Sequence, residues 1–238
     1  MQKIFIILIV AHLLSCSPSE EKESYWLKYA RGRDIMLQEQ DFSARADLDS
    51  LKNIKGLMAL GPIEDLKGEI TIFDGTVYTG TIENDQAVYR KDSVVKAVFL
   101  AYGSADVYSA VQVEESLKGL KKIEDFIRKK AIENGLDHEK SFPFYMEAQV
   151  EDLDYHIMFK EGEGMHGHQA HQKAKRKFKL NNANVKIVGV WANSQEDGIY
   201  THNGSRIHLH FINEETLASG HIDDVQLLVG SKLFLPQN

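Results

Sequence analysis

One segment of this chain carries a sustained helical period, and nearly everything around it reads as strand and turn; that contrast limits the fold more than any other feature. From Glu114 to Asn134, the residues Leu117, Leu120, Ile123, Phe126 and Ile127 recur at spacings that gather them on one helical face, and "ENG" provides a stop at Gly135. A shorter helix is predicted over Ser43 to Asn53, with Leu48 and Leu51 on one face behind the start signal "DFS". Before the long helix, "GLMAL", "GEITIFDGTVYTGTI" and "SVVKAVFLAY" read as strands, the middle one folded back at Asp74 and Gly75. After it come "FYMEAQV", "YHIMF", "RKFKL", "VKIVGVW", "RIHLHFI" and "HIDDVQLLV". The pattern predicts an α+β fold: an N-terminal half over 43–142 with a mixed sheet and the long helix, then a mostly antiparallel β half over 143–238 that carries the chemistry. The step at Pro143 marks the expected boundary, although two such halves can also share a sheet.

The first sixteen residues stand apart from this pattern. "MQKIFIILIVAHLLSC" opens on a positive charge at Lys3, continues in an apolar run from Ile4 to Leu14 that is short for a membrane span, and places a small residue before Cys16. The arrangement resembles a bacterial lipoprotein signal, the alternative being an ordinary secretory signal or a short anchor. It predicts lipidation at Cys16, a tether and lead-in over 17–42, and a place in the bacterial cell envelope facing outside the cytoplasm, with the lipid as the only membrane contact. Cys16 is the single cysteine, so the rest of the chain has no disulfide, thiolate ligand or cysteine nucleophile. Any transition metal must therefore be held by histidine and carboxylate. The formal net charge of −7 argues against non-specific nucleic-acid binding, and removal of Lys3 with the leader makes it more negative. No phosphate-cradling glycine loop or G-x-S-x-G elbow is present.

The stretch "HLHFINEETLASGH" carries the strongest chemical signal. Side chains alternate along a strand, so His208 and His210 point one way while Ile207, Leu209 and Phe211 point the other. A third imidazole, His221, returns on the next strand, and three nitrogens with one open corner describe a catalytic metal site. Zn²⁺ suits the set, and Ni²⁺, Cu²⁺, Mn²⁺ or Fe²⁺ also fit. The competing reading makes His208 and His210 the polar face of a half-solvated strand and His221 a turn residue.

"YTHNGSRIHLHFINEETLASGHIDD" resembles the metal motif of the alpha-acetolactate decarboxylases, with His208, His210 and His221 at the motif positions. "VKIVGVW" is similar to the strand that precedes it, and "LKGEITIFDGTVYTG" to a stretch near the family's N-terminal end. The resemblance runs from about Leu51 to Pro236. It implies a two-part α+β fold, three histidines on Zn²⁺ or another divalent metal, and conversion of 2-acetolactate to acetoin and carbon dioxide. It also implies a proton-transfer glutamate, which maps onto Glu69. The expected partner is a small oxo- or hydroxy-acid, and a homodimer is a state that the sequence leaves open.

Two departures accompany the agreement. The family's R-x-V-P-R-Q-like run, whose arginine would fork onto a substrate carboxylate, has no counterpart here, and Lys160 lies closest in register as a point charge in its place. The sequence also ends at "LFLPQN", ahead of the tail in which the family carries a further glutamate. In the replaced segment, "MHGHQAH" supplies His166, His168 and His171 beside Met165. These histidines either contact the substrate, form a second metal site or decorate a solvated loop. His202 precedes the first ligand by six residues and is a substrate contact or a turn former. A cupin-like metal protein is the structural rival, with Glu214 completing H-x-H-x-x-x-E, whereas the decarboxylase reading leaves Glu214 in a turn. A non-catalytic envelope lipoprotein that captures metal or a small ligand is the functional rival.

Overall fold

The computed structural model describes residues 24–162, 167–202 and 204–237, with His168 known by its backbone alone. Cys16, Met165 and His166 lie outside the described residues. Structure begins earlier than the sequence pattern indicates: strand β1 (Tyr25–Ala30) and helix α1 (Arg33–Glu39) occupy part of the expected lead-in. The segment read as a helix over Ser43 to Asn53 is instead the short strand β2 (Ala46–Asp47) followed by a single 3-10 turn at Leu48–Leu51. The side chain of Asp47 accepts from Asp49 N–H and caps that turn, and two apolar residues cannot sustain a longer amphipathic helix.

Strands β3 (Met58–Pro62), β4 (Gly68–Phe73), β5 (Thr76–Glu83), β6 (Gln86–Lys91) and β8 (Leu100–Ala105) join β1 in a six-stranded sheet of order β1-β8-β3-β4-β5-β6. The small strand β7 (Lys96–Ala97) pairs with β2. Every pairing in the six-stranded sheet is antiparallel, which corrects the expected mixed sheet. The reason is the connections: β4, β5 and β6 follow one another through two-residue turns at Asp74–Gly75 and Asn84–Asp85, and a parallel pair needs a long crossover.

The chain then leaves this sheet ahead of Pro143. Strands β9 (Tyr108–Gln112) and β10 (Leu117–Lys118) belong to a second, seven-stranded sheet with β11 (Phe142–Met158), β12 (Lys175–Trp191), β13 (Ile207–Ile212), β14 (Ser219–Leu227) and β15 (Lys232–Pro236). The long helix α2 spans Leu120–Glu133, shorter than its apolar period because Leu117 pairs with Leu227 in β10. It also packs with the second sheet: Ile123, Ile127 and Ala131 share a core with Phe144, Trp191, Leu209 and Phe211. Two pairs of predicted strands prove to be single elements, since β11 and β12 are 17 residues each and form one long hairpin bridged by helix α3 (His168–Ala174).

An added pairing of β14 with β11 closes β11, β12, β13 and β14 into a ring. The face of the ring that meets the first sheet contributes Met158, Val188, Val190 and Ile212 to a shared core with Leu60, Tyr78 and Phe99. Contact there is close. A methyl group added at Gly80 of β5 would lie 2.6 Å from the carbonyl oxygen of Ser219 in β14, so the two sheets meet backbone to backbone at this point. Alternation on β4 sorts its residues the same way: Ile70 and Ile72 enter an outer core with Leu48 and Leu57, leaving Glu69 and Thr71 to face the second sheet.

Candidate metal centre

Both faces of β13 are buried, so His208 and His210 cannot be the polar face of a half-solvated strand. Their neighbours Ile207, Leu209 and Phe211 fill the core beside α2, and the two imidazoles point at the first sheet. His210 is the cross-strand partner of His221, which in turn lies opposite His156 on β11. A ligand nitrogen from each of His208, His210 and His221 lies within 4.8 Å of the others, all three side chains buried. Their ring centroids are separated by 4.7 to 5.3 Å.

Hydrogen bonds fix which nitrogens converge. His208 Nδ1 donates to the carbonyl oxygen of Tyr200 at 2.8 Å, which turns Nε2 inward, 2.9 Å from His221 Nδ1. Thr71 Oγ1 lies 3.2 Å from His210 Nδ1, leaving His210 Nε2 buried with no partner among the described residues. An orphaned buried nitrogen is costly, and a cluster of imidazoles facing one another offers its lone pairs to a cation. Burial also keeps the ligands neutral, as a metal requires: it lowers His208 to about 3, with a smaller opposing pull from the Tyr200 carbonyl, and holds His210 and His221 well below the usual histidine range. The residues present therefore fit a divalent ion.

Glu69 arrives from the opposite sheet. Its Oε1 accepts from Met158 N–H at 3.3 Å, and its Oε2 lies 3.7 Å from His210 Nε2. Burial raises this carboxyl to about 8, against the weaker lowering effects of the Met158 N–H and of Lys175. Both groups are thus uncharged near neutrality, and the contact is not an ion pair in the absence of metal.

A small pocket of about 40 Å³ opens over these groups, lined on its apolar side by Met36, Pro62, Leu66, Phe99 and Met158. His202 and His171 also line it, which brings two of the residues singled out in the sequence to the site. His202 lies 5.4 Å from His221 between ring centroids, and burial followed by the charge of Arg33 lowers it to about 2. Lys160 does not line the pocket: its Nζ donates to the carbonyl of Gly162 at 2.7 Å and lies over the ring of Phe42. Glu214 sits in the turn after β13, 2.9 Å from Lys186 Nζ, away from the histidines, so the cupin-like ligand set is not assembled.

Four polar residues of the site escaped the sequence reading. His156 Nδ1 donates to Asp223 at 2.9 Å, and this pair with His221 makes a second cluster of metal-ligand type. Among the described residues, Arg33 and Lys175 line the pocket as its two cations. The one available signal was alternation, which places Asp223 on the same face as His221 and His156 on the face opposite Tyr155.

A family model described as alpha-acetolactate decarboxylase matches residues 36–233. No curated protein sequence matches the chain. Among solved structures, alpha-acetolactate decarboxylase from Bacillus subtilis strain 168 is 16% identical over 89% of this chain and 87% of its own, with a TM-score of 0.71. The enzyme from Bacillus subtilis subspecies spizizenii gives 16% identity, coverage of 89% and 86%, and a TM-score of 0.73. A Staphylococcus aureus protein of unknown function, described as similar to alpha-acetolactate decarboxylase, gives 14%, coverage of 87% and 83%, and 0.69. At these identities the structures establish a shared fold, and the match over most of the sequence establishes descent: this chain belongs to the alpha-acetolactate decarboxylase family.

Proposed function

We propose that the chain is a metal-dependent decarboxylase acting on 2-acetolactate or a related 2-hydroxy-3-oxo acid, with Zn²⁺ as the resident ion. The observation that carries this reading is the convergence of three buried imidazoles from the second sheet, His208, His210 and His221, with the buried Glu69 carboxyl from the first sheet 3.7 Å from His210, beneath a pocket that His208, His221 and Glu69 line. His208, His210 and His221 would hold the ion. Bound there, a dication supplies Lewis-acid stabilisation of negative charge on substrate oxygens.

The chain's own residues account for the rest. Decarboxylation breaks the bond between the carboxyl carbon and C2, carbon dioxide leaves, and the electron pair stays on C2, conjugated with the adjacent carbonyl. A proton must then reach C2. Glu69 is placed to deliver it: its carboxyl is anchored by Met158 N–H, and burial raises its pKa above the usual carboxylate range in the metal-free site. Phe99, Leu66 and Met36 wall the pocket, which limits the water that would compete for that proton or screen the charges. The leader resemblance supports a lipid anchor at Cys16 and a place in the cell envelope, so the reaction is proposed to occur outside the cytoplasm.

Elemental analysis coupled to an acetoin assay tests the proposal. Zn²⁺-loaded protein should convert racemic acetolactate to acetoin, and His208→Ala should lose both ion and activity. Bound metal without acetoin would reject the reaction and favour a ligand-capturing lipoprotein.

A further inference from the structure

The pocket contains two buried cations that the family motif does not include. Arg33 opens α1 and Lys175 opens β12, and their side chains are only 14% and 11% exposed. Each is under-compensated. Arg33 uses Nη1 for Asp34 at 2.8 Å, and its Nε and Nη2 make no hydrogen bond among the described residues. Lys175 Nζ makes no hydrogen bond among them at all; its nearest carboxylate oxygen, on Asp223, is 3.8 Å away and already engaged by His156. A buried ammonium with donors to spare is costly unless a ligand supplies the acceptor.

Both cations are held firmly. Arg33 N–H donates to the carbonyl of Ile199 at 3.1 Å and Asp34 N–H to that of Gly198 at 3.0 Å, which ties α1 to the loop whose Tyr200 carbonyl orients His208. Lys175 is the direct cross-strand partner of Met158, the residue whose N–H anchors Glu69. With a divalent ion in place, the charges of Arg33, Lys175 and the ion outweigh those of Asp34, Asp223 and Glu69 even with all three carboxylates ionised. The pocket is therefore built for an anion.

We propose that Arg33 and Lys175 form the carboxylate-binding subsite of this pocket, recruited from α1 and β12 where the family's arginine run is absent. The anion's identity as a 2-hydroxy acid rests on the decarboxylase reading. The pair also sets specificity in time: once the carboxyl leaves as carbon dioxide, the product lacks the group that the pair holds, and release is favoured.

Binding of two stable probes to the full Zn²⁺-loaded chain tests this without turnover: 2-hydroxy-2-methylpropanoate and its uncharged amide, by titration calorimetry. The acid should bind more tightly than the amide. Arg33→Gln and Lys175→Met should each weaken the acid by about tenfold or more and leave the amide unchanged, the loss expected for a charged hydrogen bond. Metal content measured on the same samples should stay constant, and Arg33→Lys, which keeps the charge and loses the fork, should fall between wild type and Arg33→Gln. Acid affinities within about twofold of wild type in both variants, or equal affinity for acid and amide, would overturn the subsite. Should Arg33→Gln fail to fold, Arg33→Lys and Lys175→Met decide the matter alone. Selective acid binding without acetoin formation would uphold the subsite while rejecting the proposed reaction; acetoin formed with unchanged KM in both variants would do the reverse.

Discussion

Acidifying the metal-free protein should unfold it through its ligand histidines, and His208 allows the size of the effect to be worked out. Unfolded, its imidazole takes a proton near 6.5, whereas burial in the folded protein delays this to about 3. A group whose folded pKa is depressed contributes stability that is complete above its unfolded pKa and is lost as the pH falls toward the folded one. Between about pH 7 and about pH 5, the unfolded chain binds a proton that the native site refuses, and His208 alone then costs about 2 kcal/mol. The assay is urea unfolding of metal-free protein at stepped pH, comparing wild type with His208→Asn. Asparagine keeps an N–H for the Tyr200 carbonyl and cannot titrate. Whatever the substitution costs at neutral pH, the stability difference between the two proteins should change by about 2 kcal/mol in the variant's favour over this interval. A difference that stays constant would show that His208 protonates as readily in the folded state as in the unfolded one, and the picture of a dry, neutral ligand set would fall.

Three further outcomes follow from the same geometry. Glu69→Gln retains an acceptor for Met158 N–H but cannot release a proton, so acetoin formation should drop by about 10²–10⁴ with metal content unchanged; a loss under tenfold would remove Glu69 from proton transfer. Gly80→Ala should cost about 1–3 kcal/mol in urea unfolding, because its methyl group meets the backbone of β14, and an unchanged midpoint would mean that the sheets separate easily there. Lys160→Met should leave kcat/KM within about twofold, as expected for a side chain directed to a loop carbonyl; a tenfold loss would place Lys160 in the pocket.

The parts of the site that the sequence revealed are those that obey a strand's period of two. "HLH" puts His208 and His210 on one face wherever it forms a strand, and their return partner His221 lies only one turn away in the chain. Glu69 was legible through resemblance alone, since its burial depends on a sheet packed over it. Arg33 was hidden because nothing periodic surrounds it, and backbone bonds to residues 198 and 199 bring it to the pocket from the far end of the chain. Lys175 was lost in the run "KAKRKFKL", where a basic residue looks like solvent-facing charge. Register counted along the chain from β11 favoured Lys160, yet the hairpin folds Lys175 back across Met158, so proximity in space and in sequence diverge within fifteen residues. The long helix lost its first turn for a similar reason: Leu117 satisfies its apolar face by pairing in a sheet.

All three histidines of the triad belong to a single hairpin, β13 to β14, whereas Glu69 reaches them from another sheet. The three proposed ligands thus come from about fourteen residues, with Tyr200 and Thr71 orienting two of them, while the proposed chemistry depends on two layers remaining in register. Damage to the junction between them, at Gly80 for instance, would leave the three ligands on their hairpin and draw the Glu69 carboxyl away from them. Occupancy and activity would then decouple, and titrating the ion would overcount the working sites in any preparation.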